Sequence, residues 1–339
     1  MTTAFTGLSP TGAPPFGRVL TAMVTPFTAT GELDVDRVGE LATRLVDAGN
    51  DGLVVSGTTG ESPTTSHAEK RAILAAVVAA VGERAAVIAG VGTYDTAESV
   101  ELAQQAQDAG AHGLLVVTPY YSRPQQAGLI AHFTAVADAT DLPVLLYDIP
   151  PRSVVPIETD TLLRLAAHPR IVGVKDAKGD VAASSEVLAR TDLVYYSGDD
   201  PMTLPLMAVG AVGVVSVTAH VLAPQIRAMV YAAATGDFST ALRWHRALLP
   251  ANRAMSRTGK GAGLSFAKAA LRLAGFDVGD PRLPQIPASE GQIRLIEADL
   301  AEVPVPSTEA QDITSTSGPT TPVSTAGTPD VPVAVGATR

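Results

Sequence analysis

Eight short, apolar runs rich in β-branched residues, each followed by an amphipathic helical stretch, constrain this 339-residue chain more than any other feature. The runs are Val19–Thr25, Gly52–Ser56, Ala86–Val91, Gly113–Thr118, Val144–Asp148, Ile171–Lys175, Leu193–Ser197 and Gly213–Thr218. They are continuously apolar rather than alternating, as strands buried on both faces of a parallel sheet must be. Between them lie stretches with Ala, Leu, Glu and Arg at helical spacing, such as Asp36–Ala48, His67–Val81, Thr96–Ala109 and Gln126–Ala139. Gly49, Gly82 and Gly110 stand where such helices need a C-terminal glycine. Eight strand–helix units in about 220 residues predict a closed (β/α)8 barrel, an α/β TIM-barrel fold. The rival is a doubly wound sheet. It usually has fewer units and opens on a glycine-rich turn, and no GxGxxG follows the first run.

The barrel is expected over residues 16–235. A small helical segment follows over 236–302 as an appendage to the barrel, with helices near Phe238–Ser256, Leu264–Ala274 and Ser289–Glu302. Residues 1–15 read as a flexible arm. Residues 303–339, rich in Pro, Ser, Thr and Ala without a period, read as a disordered tail.

Composition narrows the function classes. Aromatics make up only 4% against 46% hydrophobic residues, so the core has to be built mainly from Ala, Val and Leu. The net charge of −10, with no basic stripe, argues against a nucleic-acid binder. There is no cysteine, which removes disulfides, thiol nucleophiles and thiolate metal sites. The first residues lack the pattern of a secretory signal, and no apolar run is long enough to span a bilayer as a helix. A cytoplasmic protein is expected.

In a (β/α)8 barrel, chemistry belongs at the C-terminal ends of the strands. Lys175 ends the apolar run Ile171-Val-Gly-Val-Lys and is one of only five lysines. An amine at the end of a buried strand is poorly hydrated, which favours its neutral, nucleophilic form and imine formation with a carbonyl. The plainer reading is a rim lysine paired with Asp176. Gly57-Thr58-Thr59-Gly60-Glu61 follows the second run, and its hydroxyls and N–H groups could cradle a carboxylate or phosphate; otherwise it is an ordinary glycine-rich turn. Tyr147, at the end of the fifth run, offers a phenol for proton relay, or is simply a rim aromatic. Arg152, just beyond, has the planar fork that suits carboxylate capture, though such a residue is often a surface charge. Tyr120 and Tyr121 follow the fourth run in a pair that suits an interface. The six histidines show no HxH or HExxH spacing, so no metal is assigned, and there is no P-loop.

Six segments in order then match a known family. They are Gly57-Thr-Thr-Gly-Glu-Ser62, Thr118-Pro-Tyr-Tyr-Ser-Arg-Pro124, Leu146-Tyr-Asp-Ile-Pro-Pro-Arg152, Val172-Gly-Val-Lys-Asp176, Ser197-Gly-Asp-Asp200 and Gly213-Val-Val-Ser-Val-Thr-Ala219. On these, the chain from about Arg18 to Asp299 resembles the dihydrodipicolinate synthase / N-acetylneuraminate lyase superfamily.

The resemblance implies a cofactor-free condensation of pyruvate with L-aspartate 4-semialdehyde, in the diaminopimelate route to lysine. Lys175 would form the imine with pyruvate. Tyr147, Thr58 and Tyr121 would relay protons, with Tyr121 reaching in from a neighbouring subunit of a homotetramer, a dimer of dimers. Thr59 would hold the pyruvate carboxylate and Arg152 that of the aldehyde. Gly198 and Val215 would line the site through their carbonyls.

The same resemblance implies a regulatory L-lysine site at Ser62, His67, Tyr94, Glu98 and Tyr120. Here Lys70 and Tyr94 stand where a histidine and an asparagine are usual. The extra ammonium predicts weak or absent inhibition by a cationic effector. Asp148 replaces a common asparagine, and Pro151-Arg152-Ser153 replaces Ser-Arg-Thr, beside the aldehyde site. Two other readings compete: a superfamily aldolase or lyase releasing pyruvate from a sugar acid or related 2-oxo acid, and a non-catalytic barrel serving as scaffold or sensor.

Overall fold

The computed structural model describes residues 14–259, 261 and 263–306. The expected N-terminal arm and tail fall largely outside these residues. Eight parallel strands close into a barrel: β1 (Val19–Ala22), β2 (Gly52–Val55), β3 (Ala86–Gly90), β4 (Gly113–Val117), β5 (Val144–Asp148), β6 (Ile171–Asp176), β7 (Val194–Ser197) and β8 (Gly213–Ser216). β8 returns to pair with β1, so no edge is left open. The (β/α)8 barrel read from the sequence is the fold.

Side chains leave the strands in two layers. Leu20, Val54, Ile88, Leu115, Leu145 and Tyr147 fill the lumen. Val19, Val55, Val87, Val116 and Leu146 face the helices. The first helix illustrates why these segments are helical. Val38, Leu41, Ala42 and Leu45 recur at helical spacing and are all buried. The Asp34 carboxylate accepts the Arg37 N–H at 3.0 Å, capping the start. Gly49, at φ +102°, takes the left-handed turn that ends it. Burying a leucine such as Leu41 contributes roughly 1.5–3 kcal/mol, so Leu41→Asp would break this contact. Gly110 ends its helix as Gly49 does, at φ +83°. Gly82 does not; it caps at φ −58° with its N–H on the Val78 carbonyl, and needs no left-handed backbone.

A bulge decides which way the C-terminal end of β6 points its side chains. The β5–β6 register slips between Val144 and Leu145, which pair with Ile171 and Gly173, leaving Val172 extra. Val172 packs with the lumen residues, yet Val174 packs with the helix layer. Strict alternation would put both on one face; the extra residue reverses the order and turns Lys175 inward. Gly173 permits this, because a methyl group there would sit 2.4 Å from the Val194 carbonyl oxygen.

Beyond the barrel the helices are Phe238–Ala247, Leu249–Ser256, Gly263–Leu273 and Glu290–Ala301. The single helix expected over Phe238–Ser256 is two. Pro250 has no N–H to donate and its ring clashes with the carbonyl four residues back, so the chain restarts at Leu249. Arg253 and Arg257 both bond the Asp299 carboxylate, tying the second of these helices to the last.

Candidate active site

At the C-terminal end of the barrel lies a cavity of about 670 Å³, lined by Thr58, Thr59, Tyr147, Arg152, Lys175 and Gly198 among others. Six of the eight residues predicted for catalysis and substrate binding therefore share one space. Lys175 is 5% exposed. Burial lowers its pKa from 10.5 to about 7; Asp200 opposes the shift and Arg152 adds to it. A large fraction of the amine is then neutral at neutral pH. The alternative of a rim ion pair with Asp176 is not what forms. The Asp176 carboxylate is engaged by Ser184 Oγ and by the N–H groups of Lys178 and Gly179.

Tyr147 is the register partner of Lys175 on the neighbouring strand. The Lys175 Nζ lies 4.1 Å from the centre of its ring. Burial raises the phenol to about 12, while Arg152 and the Thr58 hydroxyl pull it back and Asp199 adds to the rise. The phenol therefore stays protonated through neutral pH.

The Thr58-Thr59 loop is built tightly. The Glu61 N–H donates to the Thr58 carbonyl at 3.2 Å, and the Ser62 N–H to that of Gly57 at 3.2 Å. Ser56 and Glu61 flank the turn in left-handed backbone, at φ +53° and +58°. Gly60 is pressed against the strand ends, since a methyl there would meet the Met23 carbonyl oxygen at 3.0 Å. Its own carbonyl accepts the Thr25 hydroxyl at 2.6 Å.

Gly198 has a similar requirement. Its N–H donates to the Asp176 carbonyl at 2.6 Å, and a methyl on it would stand 3.1 Å from Lys175 Cε. Arg152 sits on the short helix Pro150–Ser153 and donates to the Gly261 carbonyl. Val215, by contrast, is 1% exposed among the lumen residues; Val217, two residues on, lines the cavity. Tyr121 is 90% exposed at φ +70° and lines an adjoining cavity of about 520 Å³, shared with Tyr147, Thr58 and Arg152.

The residues of the expected regulatory site also lie close together. His67 Nε2 is 2.8 Å from Glu98 Oε1, which holds the Glu98 carboxyl below its usual range. The Tyr94 and Tyr120 rings meet edge to face at 5.4 Å. Lys70 donates to the Ser62 carbonyl at 2.8 Å and to that of Thr65.

Two groups were missed by sequence reasoning. Asp200 accepts the Thr218 hydroxyl at 2.7 Å, the Val217 N–H at 2.9 Å and the Ser216 hydroxyl, locking the ends of β7 and β8 together beside Lys175. The Ser197-Gly-Asp-Asp200 motif was visible but gave no partner for the second aspartate. Asn252, Met255 and Leu264 of the C-terminal helices also line the cavity. That segment, read as an appendage, is a wall of the site. Among the described residues, no group of three or more His, Cys, Asp or Glu is placed to hold a metal ion, and no helix is long and apolar enough to cross a membrane.

Residues 15–303 match the model of the Dihydrodipicolinate synthetase family. The chain is 62% identical over 287 residues to a 4-hydroxy-tetrahydrodipicolinate synthase of Acidothermus cellulolyticus, covering 85% of this chain and 92% of that protein. It is 61% identical over 284 residues to one of Mycolicibacterium gilvum, covering 84% and 93%. The fold matches a crystal structure of dihydrodipicolinate synthase from Bacillus anthracis with a TM-score of 0.81 at 40% identity, over 86% of this chain and 99% of that one.

Proposed function

The chain belongs to the Dihydrodipicolinate synthetase family, and from that membership we propose that it condenses pyruvate with L-aspartate 4-semialdehyde to give 4-hydroxy-tetrahydrodipicolinate, in the diaminopimelate route to lysine. The observation that carries the chemistry is the buried Lys175 amine, held near neutrality over the Tyr147 ring in a cavity shared with Thr58 and Thr59.

The neutral amine attacks the pyruvate carbonyl and expels water, forming the imine. The imine withdraws electrons from the adjacent methyl group, so loss of a proton there gives an enamine. The enamine carbon attacks the aldehyde carbon, and the resulting alkoxide is protonated. The substrate's own amino group then attacks the former keto carbon and releases Lys175. The imine is the electron sink, so no cofactor is called for. Tyr147, Thr58 and Tyr121 carry the protons, with Tyr121 supplied by a neighbouring subunit. Thr59 holds the pyruvate carboxylate, Arg152 holds that of the aldehyde, and the Gly198 carbonyl faces the reactants, with Val215 packed in the lumen beneath them. The exposure of Tyr121 supports an assembly, proposed as a homotetramer built from two dimers, working in the cytoplasm.

Borohydride reduction in the presence of pyruvate, followed by peptide mass spectrometry, tests the first half. A pyruvate-sized adduct on Lys175 supports the imine; its absence removes the mechanism. Pyruvate consumption that depends on added L-aspartate 4-semialdehyde tests the second half.

A further inference from the structure

Glu61 is a carboxylate that the mechanism above does not use, yet it belongs to the loop that carries Thr58 and Thr59. Its side chain is 2% exposed and lies 3.0 Å from the Nζ of Lys268, whose side chain is 3% exposed. Oε2 accepts the backbone N–H of Arg282 at 2.8 Å. Oε1 faces the Lys268 ammonium, which compensates its charge. Lys268 sits on the helix Gly263–Leu273, donates to the Asp280 carbonyl at 3.1 Å and lies 4.5 Å from the centre of the Phe27 ring. The Arg282 guanidinium closes the same arrangement from the other side, bonding Glu69 at 2.6 Å and the Thr64 carbonyl at 2.9 Å. The C-terminal segment thus grips the loop at Glu61 and again just beyond it.

Glu61 holds left-handed backbone, a conformation a non-glycine residue keeps only when its surroundings fix it. Its N–H closes the turn on Thr58, and its carbonyl accepts the N–H of Thr64 at 3.0 Å. Displacing its side chain therefore shifts the turn in which both threonines sit. A shift of about 1 Å is enough to cost a binding or catalytic contact heavily.

We propose that Lys268 is a positioning residue for pyruvate: through its buried ion pair with Glu61 it fixes the Thr58-Thr59 turn in the geometry that receives the pyruvate carboxylate. This rests on the reading of Thr59 as the carboxylate's partner. It assigns a role in the reaction to the helical segment outside the eight strand–helix units.

A buried carboxylate stripped of its partner destabilises a fold, so Lys268→Met alone would confuse position with stability. Replacing both charges removes that cost, and Glu61→Gln can still accept the Arg282 N–H. The deciding comparison is therefore Lys268→Met, the double variant Glu61→Gln/Lys268→Met and Thr59→Val. Each full-length protein is measured for its thermal midpoint and for KM with each substrate. The proposal expects the double variant to recover the midpoint lost in Lys268→Met. Its KM for pyruvate stays about tenfold or more above wild type, and its KM for the aldehyde stays within about twofold. A double variant that recovers pyruvate KM along with stability, or that shifts both KM values equally, overturns the positioning role. A Thr59→Val variant with unchanged pyruvate KM overturns the carboxylate reading itself, and the role of Lys268 with it. Wild-type KM in both single variants overturns both.

Discussion

Lys175 and Tyr147 stand directly opposite each other on adjacent parallel strands, with the lysine ammonium nitrogen 4.1 Å from the centre of the tyrosine ring. The two groups are shifted by the same burial in opposite senses. The amine is driven down to about 7 and the phenol up to about 12. Near pH 7 the phenol is therefore neutral and about half of the amine is, the forms that carbonyl attack and proton relay require.

The imine-forming rate should follow the neutral amine. Because burial lowers the Lys175 pKa, the reactive form increases as pH rises through about 7 and is lost as pH falls below it. The rate of borohydride-trappable imine formation, measured in single turnover from pH 5.5 to 8.5, should rise and level off above about 7.5. A rate still climbing about tenfold per pH unit at pH 8.5, as the ordinary lysine value of 10.5 requires, would contradict the burial argument. Lys175→Ala should give no adduct at any pH.

Tyr147→Phe keeps the ring against Lys175 and removes only the hydroxyl. We expect kcat to fall about 10²–10³-fold, within the usual range for a lost proton-transfer group, with the thermal midpoint little changed. A kcat within threefold of wild type would take Tyr147 out of the relay. Arg152→Ala should act on the second substrate, raising its KM about 10- to 100-fold while imine formation with pyruvate proceeds. A matching loss in pyruvate binding would place Arg152 elsewhere in the reaction.

Gly173→Ala should be poorly tolerated although Gly173 is not among the residues that line the cavity. A methyl there collides with the Val194 carbonyl oxygen, and the backbone has to move at the bulge that aims Lys175. Destabilisation of about 1–3 kcal/mol is expected from the overpacking, with a drop in the imine-forming rate measured on folded protein. An alanine variant with wild-type stability and rate would show that the bulge has slack.

Asp148 is raised by burial from 3.8 to about 6, with Lys178 and the Ile157 N–H opposing the shift. A raised carboxyl favours folding at low pH, and that contribution is lost as pH rises through about 6. Asp148→Asn has no such titration. The stability of wild type relative to this variant should therefore fall by about 2 kcal/mol between about pH 4.5 and 7. Denaturant melts of both proteins at the two pH values measure it; a difference independent of pH would mean that the carboxyl does not titrate there.

Lys70 brings an ammonium to the cluster of His67, Glu98, Tyr94 and Tyr120, where it donates to the Ser62 and Thr65 carbonyls. A cationic effector would meet a like charge. Low-micromolar L-lysine should leave the condensation rate unchanged, and Lys70→His should increase sensitivity. Half-inhibition of wild type in the low micromolar range would refute the repulsion argument.

The sequence determined the barrel because each strand and helix is specified locally. Strand starts fall where the apolar runs begin, except that the seventh begins at Val194 rather than Leu193. The ends of those runs also marked Lys175 and Tyr147, since the fold places its chemistry at strand termini. What tertiary structure decided was direction and enclosure. Strict alternation from Val172 would have turned Lys175 toward the helices; only pairing with β5 creates the bulge that turns it inward. The C-terminal helices read as an appendage because nothing in their own pattern points at the strand ends. Packing brings Asn252, Met255 and Leu264 to the cavity and Lys268 to Glu61. Periodicity records which residues are buried within an element. It carries no information on which distant charge will be buried beside them, because that pairing is fixed only when the chain closes.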